Sequence, residues 1–199
     1  AVAKGYQVNV HAIGDLGNRT VLDAFADAQK QFPKADLRRR IEHAQVVALS
    51  DIPRFKSLNL IASMQPTHAT SDMNMAEDRV GPARIRGAYA WRTFLKQGTR
   101  IAAGSDFPIE SSNPFLGWHA AVTRQSETGE PKGGWHKEQA MTREEIDAQQ
   151  KARMDEMVVI EPGRAVTPIS VVATTMFADL SQKLADRYMK HLTTLLEDE

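Results

Sequence analysis

The hydrophobic positions of this chain change their period several times. Short apolar or alternating runs are typical of strands, and apolar residues spaced three or four positions apart are typical of helices. This pattern predicts strands over residues 5–12, 38–43, 59–65 and 99–103, helices over 20–32, 51–58 and 84–97, and polar loops over 67–82 and 125–140. Asp15 or Asn18 is the expected N-cap of the first helix, and Ser50 that of the second.

The predicted elements alternate regularly between strand and helix. Strands separated by helices pair in parallel, so the expected fold class is α/β. We expect one α/β domain over residues 1–145 and a divergent, mostly helical tail over residues 146–199.

Polar residues follow the predicted strands where those strands end. The first strand ends at His11, the second at His43 and the third at Gln65 with His68 just beyond it, and the fourth leads to Asp106. Parallel strands bring their carboxyl ends to one edge, where α/β proteins place their ligand sites. Imidazoles and carboxylates are ligands that Zn²⁺ takes, so this recurrence favours a metal or acid–base site.

Each of these residues also has a structural interpretation. A single histidine at a strand end is more often a packing residue than a ligand, and Asp106 between Gly-Ser and Pro108 fits a turn. Spacing alone leaves both interpretations open. We assign His119, His136 and His191 to structural or surface positions.

Composition excludes several classes of partner. The 199 residues carry 25 basic and 25 acidic side chains and no cysteine, which argues against a general nucleic-acid binder, a disulfide framework and a thiolate metal site. No apolar run approaches the roughly 18–20 residues that a membrane span needs. A cytoplasmic location is favoured, and an exported full-length form stays open because the chain begins at Ala1.

Four segments, in this order, carry a family resemblance. VNVHAIGD, RRRIEHAQ, ASMQPTHATSDM and AAGSDFPIE resemble the C-terminal half of an amidohydrolase-superfamily barrel, specifically the YtcJ-like branch, amidohydrolase family 3, which includes N-substituted formamide deformylase. The likeness covers about residues 1–145.

The resemblance implies a partial (β/α)8 TIM-type barrel, in which the four strands here are barrel strands five to eight. It implies that His11 and His43 hold a divalent metal, zinc in particular, and that Asp106 binds metal and acts as general base and then acid. His68 would face the substrate and Gln65 would line the pocket. The implied reaction is hydrolysis of an amide- or formamide-type C–N bond in a small molecule by metal-activated water.

Two departures from the family pattern qualify these expectations. The chain has no His-x-His segment, which the family carries on its first barrel strand, and it also lacks the lysine or glutamate ligand of strand four, as expected of a segment that begins after barrel strand four. The chain therefore reads as a fragment that binds metal weakly or not at all and lacks turnover alone. Its expected partner is the missing N-terminal half or another copy of itself.

The tail does not match the family pattern. Helices are expected over residues 142–157 and 168–196, the second with an apolar stripe suited to packing or pairing. The rival interpretation from another class is a noncatalytic half-barrel remnant that acts as an interaction module through this amphipathic helix.

Overall fold

The computed structural model describes residues 1–33, 36–146 and 148. The strands are β1 Asn9–Ala12, β2 Arg40–His43, β3 Ile61–Met64 and β4 Arg100–Ala103. They form one four-stranded sheet in the order β1-β2-β3-β4, and every neighbouring pair is parallel. The predicted α/β class and the four predicted strands are confirmed, although each strand is shorter than the sequence pattern indicates.

Helices follow each strand. They are α1 Asp15–Gln31, α2 Ile52–Ser57, α3 Pro66–Asp72, α4 Ala76–Arg84, α5 Trp91–Lys96 and α6 Pro114–Thr123. Short 3₁₀ helices occupy Val2–Lys4, Ile85–Gly87 and Lys137–Gln139. Within these described elements, no helix has both the length and the apolar character needed to cross a bilayer.

The register gives the sheet two different faces, because side chains alternate along a strand. One face carries neighbouring apolar residues from all four strands: Val10, Ile41, Ala62 and Ile101. These residues pack in or against the hydrophobic core with Leu22, Phe25, Phe55 and Phe94 of the helices. The other face carries His11, Glu42 and Ser63 in register, so polar side chains occupy the face opposite the core.

The first helix begins earlier than predicted, and neither predicted N-cap is correct. Gly14 is the N-cap, and Asp15 is already helical. Asn18 is fully buried in the first turn, where its amide nitrogen lies 2.9–3.3 Å from the carbonyl oxygens of Ala12, Ile13, Gly14 and Val46. This side chain joins the end of β1 to the segment after β2. In α2 the N-cap is Asp51 rather than Ser50.

The predicted polar loop over residues 67–82 is wrong, because α3 and most of α4 lie there. Pro66 lies in the first turn of α3, where its fixed φ suits a helix and its missing N–H has no intrahelical acceptor to lose. The buried residues of these helices include Ala69 and Ala76. Small side chains at these positions leave no strong hydrophobic stripe for the sequence pattern to reveal. Helix α6 was likewise not predicted.

The predicted helix over residues 84–97 is wrong in its first half. The Gly87 carbonyl accepts from the Val47 amide at 2.9 Å, and the Tyr89 amide donates to the Gln45 carbonyl at 2.8 Å. The chain forms a 3₁₀ helix over Ile85–Gly87 and also pairs through its backbone with the segment after β2, so an α-helix starts only at Trp91. The predicted helices over 142–157 and 168–196 extend outside the described residues. Residues 143–146 are helical, and Thr142 and Glu145 form a reciprocal capping box at their start.

Gly87 lies so close to the segment after β2 that the backbone leaves no room for a side chain. A Cβ at this position would collide with the carbonyl oxygen of Val47. We expect Gly87→Ala to lower the free energy of unfolding by about 1–3 kcal/mol, since the backbone must move to relieve the overlap. Urea unfolding followed by circular dichroism measures this change.

Gly17→Ala is the matched control for that variant. Gly17 lies inside α1, and an added Cβ would meet only the Ala12 Cβ at 3.9 Å. Alanine is the better helix former by about 1 kcal/mol, so this variant should be neutral or slightly stabilising. Equal losses for both variants would contradict the packing argument.

Candidate metal centre

Three polar side chains converge at the carboxyl end of the sheet. His43, His68 and Asp106 each offer a ligand atom, and these atoms all lie within 4.8 Å of one another. His43 ends β2, His68 lies in the first turn of α3, and Asp106 follows β4. The parallel topology brings these separate segments to one edge, as the sequence predicts.

His43 lies at the centre of this group. Its side chain is 8% exposed, and its Nδ1 lies 2.9 Å from the Oε1 of Gln65. Its Nε2 lies 3.9 Å from the Oδ2 of Asp106. The backbone of His43 has a φ of 73°, in the left-handed region that few residues other than glycine adopt. The strand therefore ends by turning this imidazole out of the regular alternation.

His68 contributes a buried nitrogen with no protein partner. Its Nε2 has no hydrogen bond and lies 4.0 Å from the Oδ2 of Asp106. Burial lowers the pKa of His68, and this effect outweighs the raising influence of the nearby Glu110, Asp106 and Asp72 carboxylates. The imidazole is therefore neutral at neutral pH, the form in which histidine binds metals.

His11 lies beside the group. Its ring meets the ring of His43 edge to face, with centroids 4.5 Å apart, whereas the ring of His68 stacks on His43 with centroids 5.7 Å apart. His11 is exposed and does not belong to the set of ligand atoms within 4.8 Å. The structure thus places all three predicted imidazoles together. The ligand atoms that lie within 4.8 Å of one another belong to His43, Asp106 and His68, and not to His11.

Asp106 is the most accessible member of the group. Its side chain is 39% exposed, and its φ of 57° is left-handed like that of His43. Farther along the same loop, Glu110 Oε1 accepts a hydrogen bond of 2.5 Å from Ser71 Oγ on α3. This contact ties the loop that carries Asp106 to the helix that carries His68.

Sequence reasoning missed a hydrogen-bond network beside the site. Asp72 Oδ2 accepts hydrogen bonds from Tyr89 Oη at 2.6 Å and Gln45 Nε2 at 2.8 Å. Burial raises the pKa of Tyr89, and the Asp72 carboxylate raises it further, so the phenol stays a donor. Nothing in the spacing of these residues indicates this network, because it depends on the non-helical segment that carries Tyr89.

Large apolar side chains are exposed in the segments that follow the strands. Each βα connection contributes at least one: Ile13 and Leu16 after β1, Leu49 after β2, Met75 after β3, and Phe107, Ile109 and Phe115 after β4. Single exposed apolar residues are common on proteins, but here they recur after every strand. The segments that follow the strands therefore carry both the polar group of the site and exposed apolar side chains.

The remaining described histidines lie outside this group. His119 Nε2 lies 3.1 Å from the Ser126 carbonyl oxygen, and His136 lies between Glu77 and Glu138. Both are structural or surface residues in the described part of the chain, as expected. His191 lies outside the described residues.

The donor set fits a divalent metal. A buried polar atom without a partner is uncommon in a folded protein and calls for an explanation. The unpaired Nε2 of His68 lies near the Nε2 of His43 and a carboxylate oxygen. Nitrogen from histidine and oxygen from aspartate are the ligands of a catalytic zinc site.

Comparisons with known proteins place the chain in a family. A family model described as the amidohydrolase family, Amidohydro_3, matches residues 1–154. The chain belongs to the amidohydrolase family. This result confirms the resemblance to amidohydrolase family 3 and its YtcJ-like members.

Curated relatives match this amidohydrolase chain over part of their length. Amidohydrolase YtcJ of Bacillus subtilis (strain 168) is 41% identical over 123 residues, which are 62% of this chain and 23% of the relative. Protein LONG AFTER FAR-RED 3 of Arabidopsis thaliana is 36% identical over 121 residues, 60% of this chain and 21% of the relative. The amidohydrolase segment thus spans about a quarter or less of these relatives.

Solved structures of metal-dependent hydrolases have a similar backbone. An uncharacterized metal-dependent hydrolase from Pyrococcus furiosus superposes with a TM-score of 0.56 at 34% identity, over 70% of this chain and 26% of that one. Another from Pyrococcus horikoshii OT3 gives a TM-score of 0.58 at 29% identity, over 72% and 28%. The amidohydrolase assignment rests on the family model, and the chain also resembles metal-dependent hydrolases in backbone geometry.

Proposed function

We propose that this chain carries part of the active site of a zinc-dependent hydrolase that cleaves amide- or formamide-type C–N bonds in small molecules. The observation that carries the proposal is the convergence of His43, His68 and Asp106. Within this group, the buried Nε2 of His68 has no hydrogen-bond partner. The metal-dependent hydrolases with a similar backbone support it.

The architecture we propose for the complete protein is a (β/α)8 barrel. The four parallel strands in sequential order, each followed by helix, are what one half of such a barrel contains. The polar face with His11, Glu42 and Ser63 would then line the interior. The relatives are about four times as long as the matched segment, which leaves room for the other strands.

His43 and Asp106 are the ligands on which geometry and resemblance agree. The distances add His68 as the third donor, and the resemblance adds His11. In the described geometry we assign the third position to His68, because its unpaired Nε2 already lies within reach of the other two donors. When bound, a divalent metal would polarise the substrate carbonyl and make a bound water more acidic.

The protein groups have separate tasks in this proposal. Asp106, accessible at its Oδ2, would take the proton of the attacking water and deliver it to the nitrogen of the leaving amine. Glu110, held by Ser71, would keep the Asp106 loop against α3. The exposed apolar side chains in the segments that follow the strands favour substrates with an apolar substituent on the amide.

We expect the chain by itself to bind zinc weakly and to show no turnover. The described group supplies only three protein donors, and Asp106 is partly open to solvent. Competition with an absorbing zinc chelator, together with metal analysis after dialysis, measures binding. Release of amine from N-formyl and N-acyl amines measures turnover.

The outcomes of this experiment are distinct. Weak binding of one zinc ion without turnover supports the proposal in full. Turnover that the Asp106→Asn variant abolishes would overturn the expectation of inactivity while supporting the hydrolase. If no zinc binds even at millimolar concentration, the metal site of this chain is refuted.

A further inference from the structure

Gln65 uses both ends of its side-chain amide inside the protein. Its Oε1 lies 2.9 Å from His43 Nδ1, and its Nε2 donates to the carbonyl oxygen of Ser63 at 3.3 Å. The side chain is 7% exposed, and its residue precedes α3 with extended backbone. Both polar atoms of the amide already have partners within the protein, so this arrangement does not leave them free to bind a substrate.

These contacts determine where His43 carries its ring proton. The Ser63 carbonyl can only accept, so the amide nitrogen of Gln65 must face it. The amide oxygen then faces His43 Nδ1. Because this oxygen can only accept a hydrogen bond, Nδ1 must carry the proton that it donates. His43 is therefore the Nδ1–H tautomer, which leaves a lone pair on Nε2, the atom that lies near Asp106 and His68.

Packing and a hydrogen bond together hold the imidazole of His43. A small cavity borders this side of His43, and its walls are His43, Gln45, Met64, Gln65, Tyr89 and Trp91. The rings of His11 and His68 also contact the imidazole, and the hydrogen bond to Gln65 adds the directional contact that distinguishes its two nitrogens. The left-handed backbone at His43 directs the side chain towards the cluster, and Gln65 sets which nitrogen faces it.

We infer that Gln65 is a positioning residue, which holds His43 as the Nδ1–H tautomer with the Nε2 lone pair directed at the cluster. The effect of Gln65 on zinc binding rests on the proposed metal site. The tautomer of His43 is a property of the metal-free chain and does not depend on that site. Hydrogen bonds to the second nitrogen of a ligating histidine fix its tautomer in this way.

The test is a long-range ¹H–¹⁵N correlation spectrum of the complete chain labelled at histidine nitrogen, at a pH where His43 is neutral. Signals of His43 are identified by their absence in His43→Gln. We expect the Nδ1–H pattern in the unsubstituted chain. We expect Gln65→Leu to shift His43 towards the Nε2–H tautomer, which free histidine favours in water.

Gln65→Glu is the conservative variant. A carboxylate keeps an acceptor for Nδ1–H, so this variant should retain the tautomer that Gln65→Leu loses. Circular dichroism shows whether each variant folds, and a folded Gln65→Glu keeps the test informative if the leucine variant does not fold. In zinc competition, Gln65→Leu should weaken binding by about 10–100-fold, with a much smaller loss for Gln65→Glu.

Failure of this inference can be told from failure of the proposed function. An Nε2–H pattern in the unsubstituted chain, or an unchanged pattern in folded Gln65→Leu, would overturn the role of Gln65 even if zinc binds. The expected tautomers together with an absence of zinc binding would support the role of Gln65 in the free chain and refute the metal site.

Discussion

Replacing His43 by glutamine is expected to weaken zinc binding by about 100-fold or more. Loss of a residue that only supports a ligand costs about 10–100-fold, and His43 is itself a ligand in both assignments of the site. Its Nε2 lies 3.9 Å from Asp106 Oδ2, and its ring contacts both other imidazoles. Competition with an absorbing chelator at neutral pH gives the affinities.

His136→Gln is the matched control for this measurement. It removes an imidazole that contacts Glu77 and Glu138 rather than the cluster, so zinc affinity should stay within about threefold. A comparable loss for both variants would mean that zinc binds elsewhere or nonspecifically, and would refute the site.

The same assay identifies the third ligand. We expect His68→Gln to reduce affinity as strongly as His43→Gln, because His68 has the unpaired buried nitrogen. We expect His11→Gln to cost less than about tenfold, since His11 lies outside the ligand group. The reverse order would show that His11 rotates into the site on binding, in agreement with the resemblance and against the distances described above.

Trp91→Ala is expected to lower the free energy of unfolding by about 3–5 kcal/mol, the usual cost of removing a large buried aromatic side chain. Trp91 is 1% exposed, and the guanidinium of Arg124 lies 4.3 Å from the centre of its ring. Burial lowers the pKa of Arg124 to about 10, so the ring helps to offset the burial of a charge. Removal of the ring therefore costs both packing and this contact.

Trp118→Ala provides the comparison for this prediction. Trp118 is only partly buried and packs edge to face on Phe115, which is exposed. Its removal should cost clearly less than removal of Trp91 in urea unfolding. Trp91→Phe keeps an aromatic face for Arg124 and should lie between the two, so a folded variant remains measurable. Equal losses for Trp91→Ala and Trp118→Ala would contradict the argument from burial.

Trp91 also connects stability with the site. It lines the cavity next to His43 and Gln65, so its truncation enlarges the space beside the ring that Gln65 holds. We therefore expect Trp91→Ala to weaken zinc binding in addition to stability. Trp91 falls within the helix that the sequence pattern predicts over 84–97, and the structure places its ring beside the candidate metal centre.

Periodicity was sufficient where an element buries large apolar side chains. It located all four strands and α1, because Ile41 and Leu22 lie on faces that pack into the core. It failed for α3 and α4, whose buried residues are mainly small or polar, and for residues 85–90, where a 3₁₀ helix and pairing with the segment after β2 take the place of an α-helix. The local pattern of hydrophobic residues does not show that the segment after β2 lies beside residues 85–90.

By itself, the sequence determined that the fold is parallel α/β and that polar residues end successive strands, because side-chain period and strand–helix alternation are local properties. It also determined the family, through segments in fixed order. The tertiary structure decided which side chains meet. His68 joins His43 and Asp106 while His11 lies to one side, and Gln65 faces an imidazole instead of the open site. Those outcomes depend on the left-handed backbone of His43 and on the rotation of each ring, which are set by contacts between residues far apart in the chain.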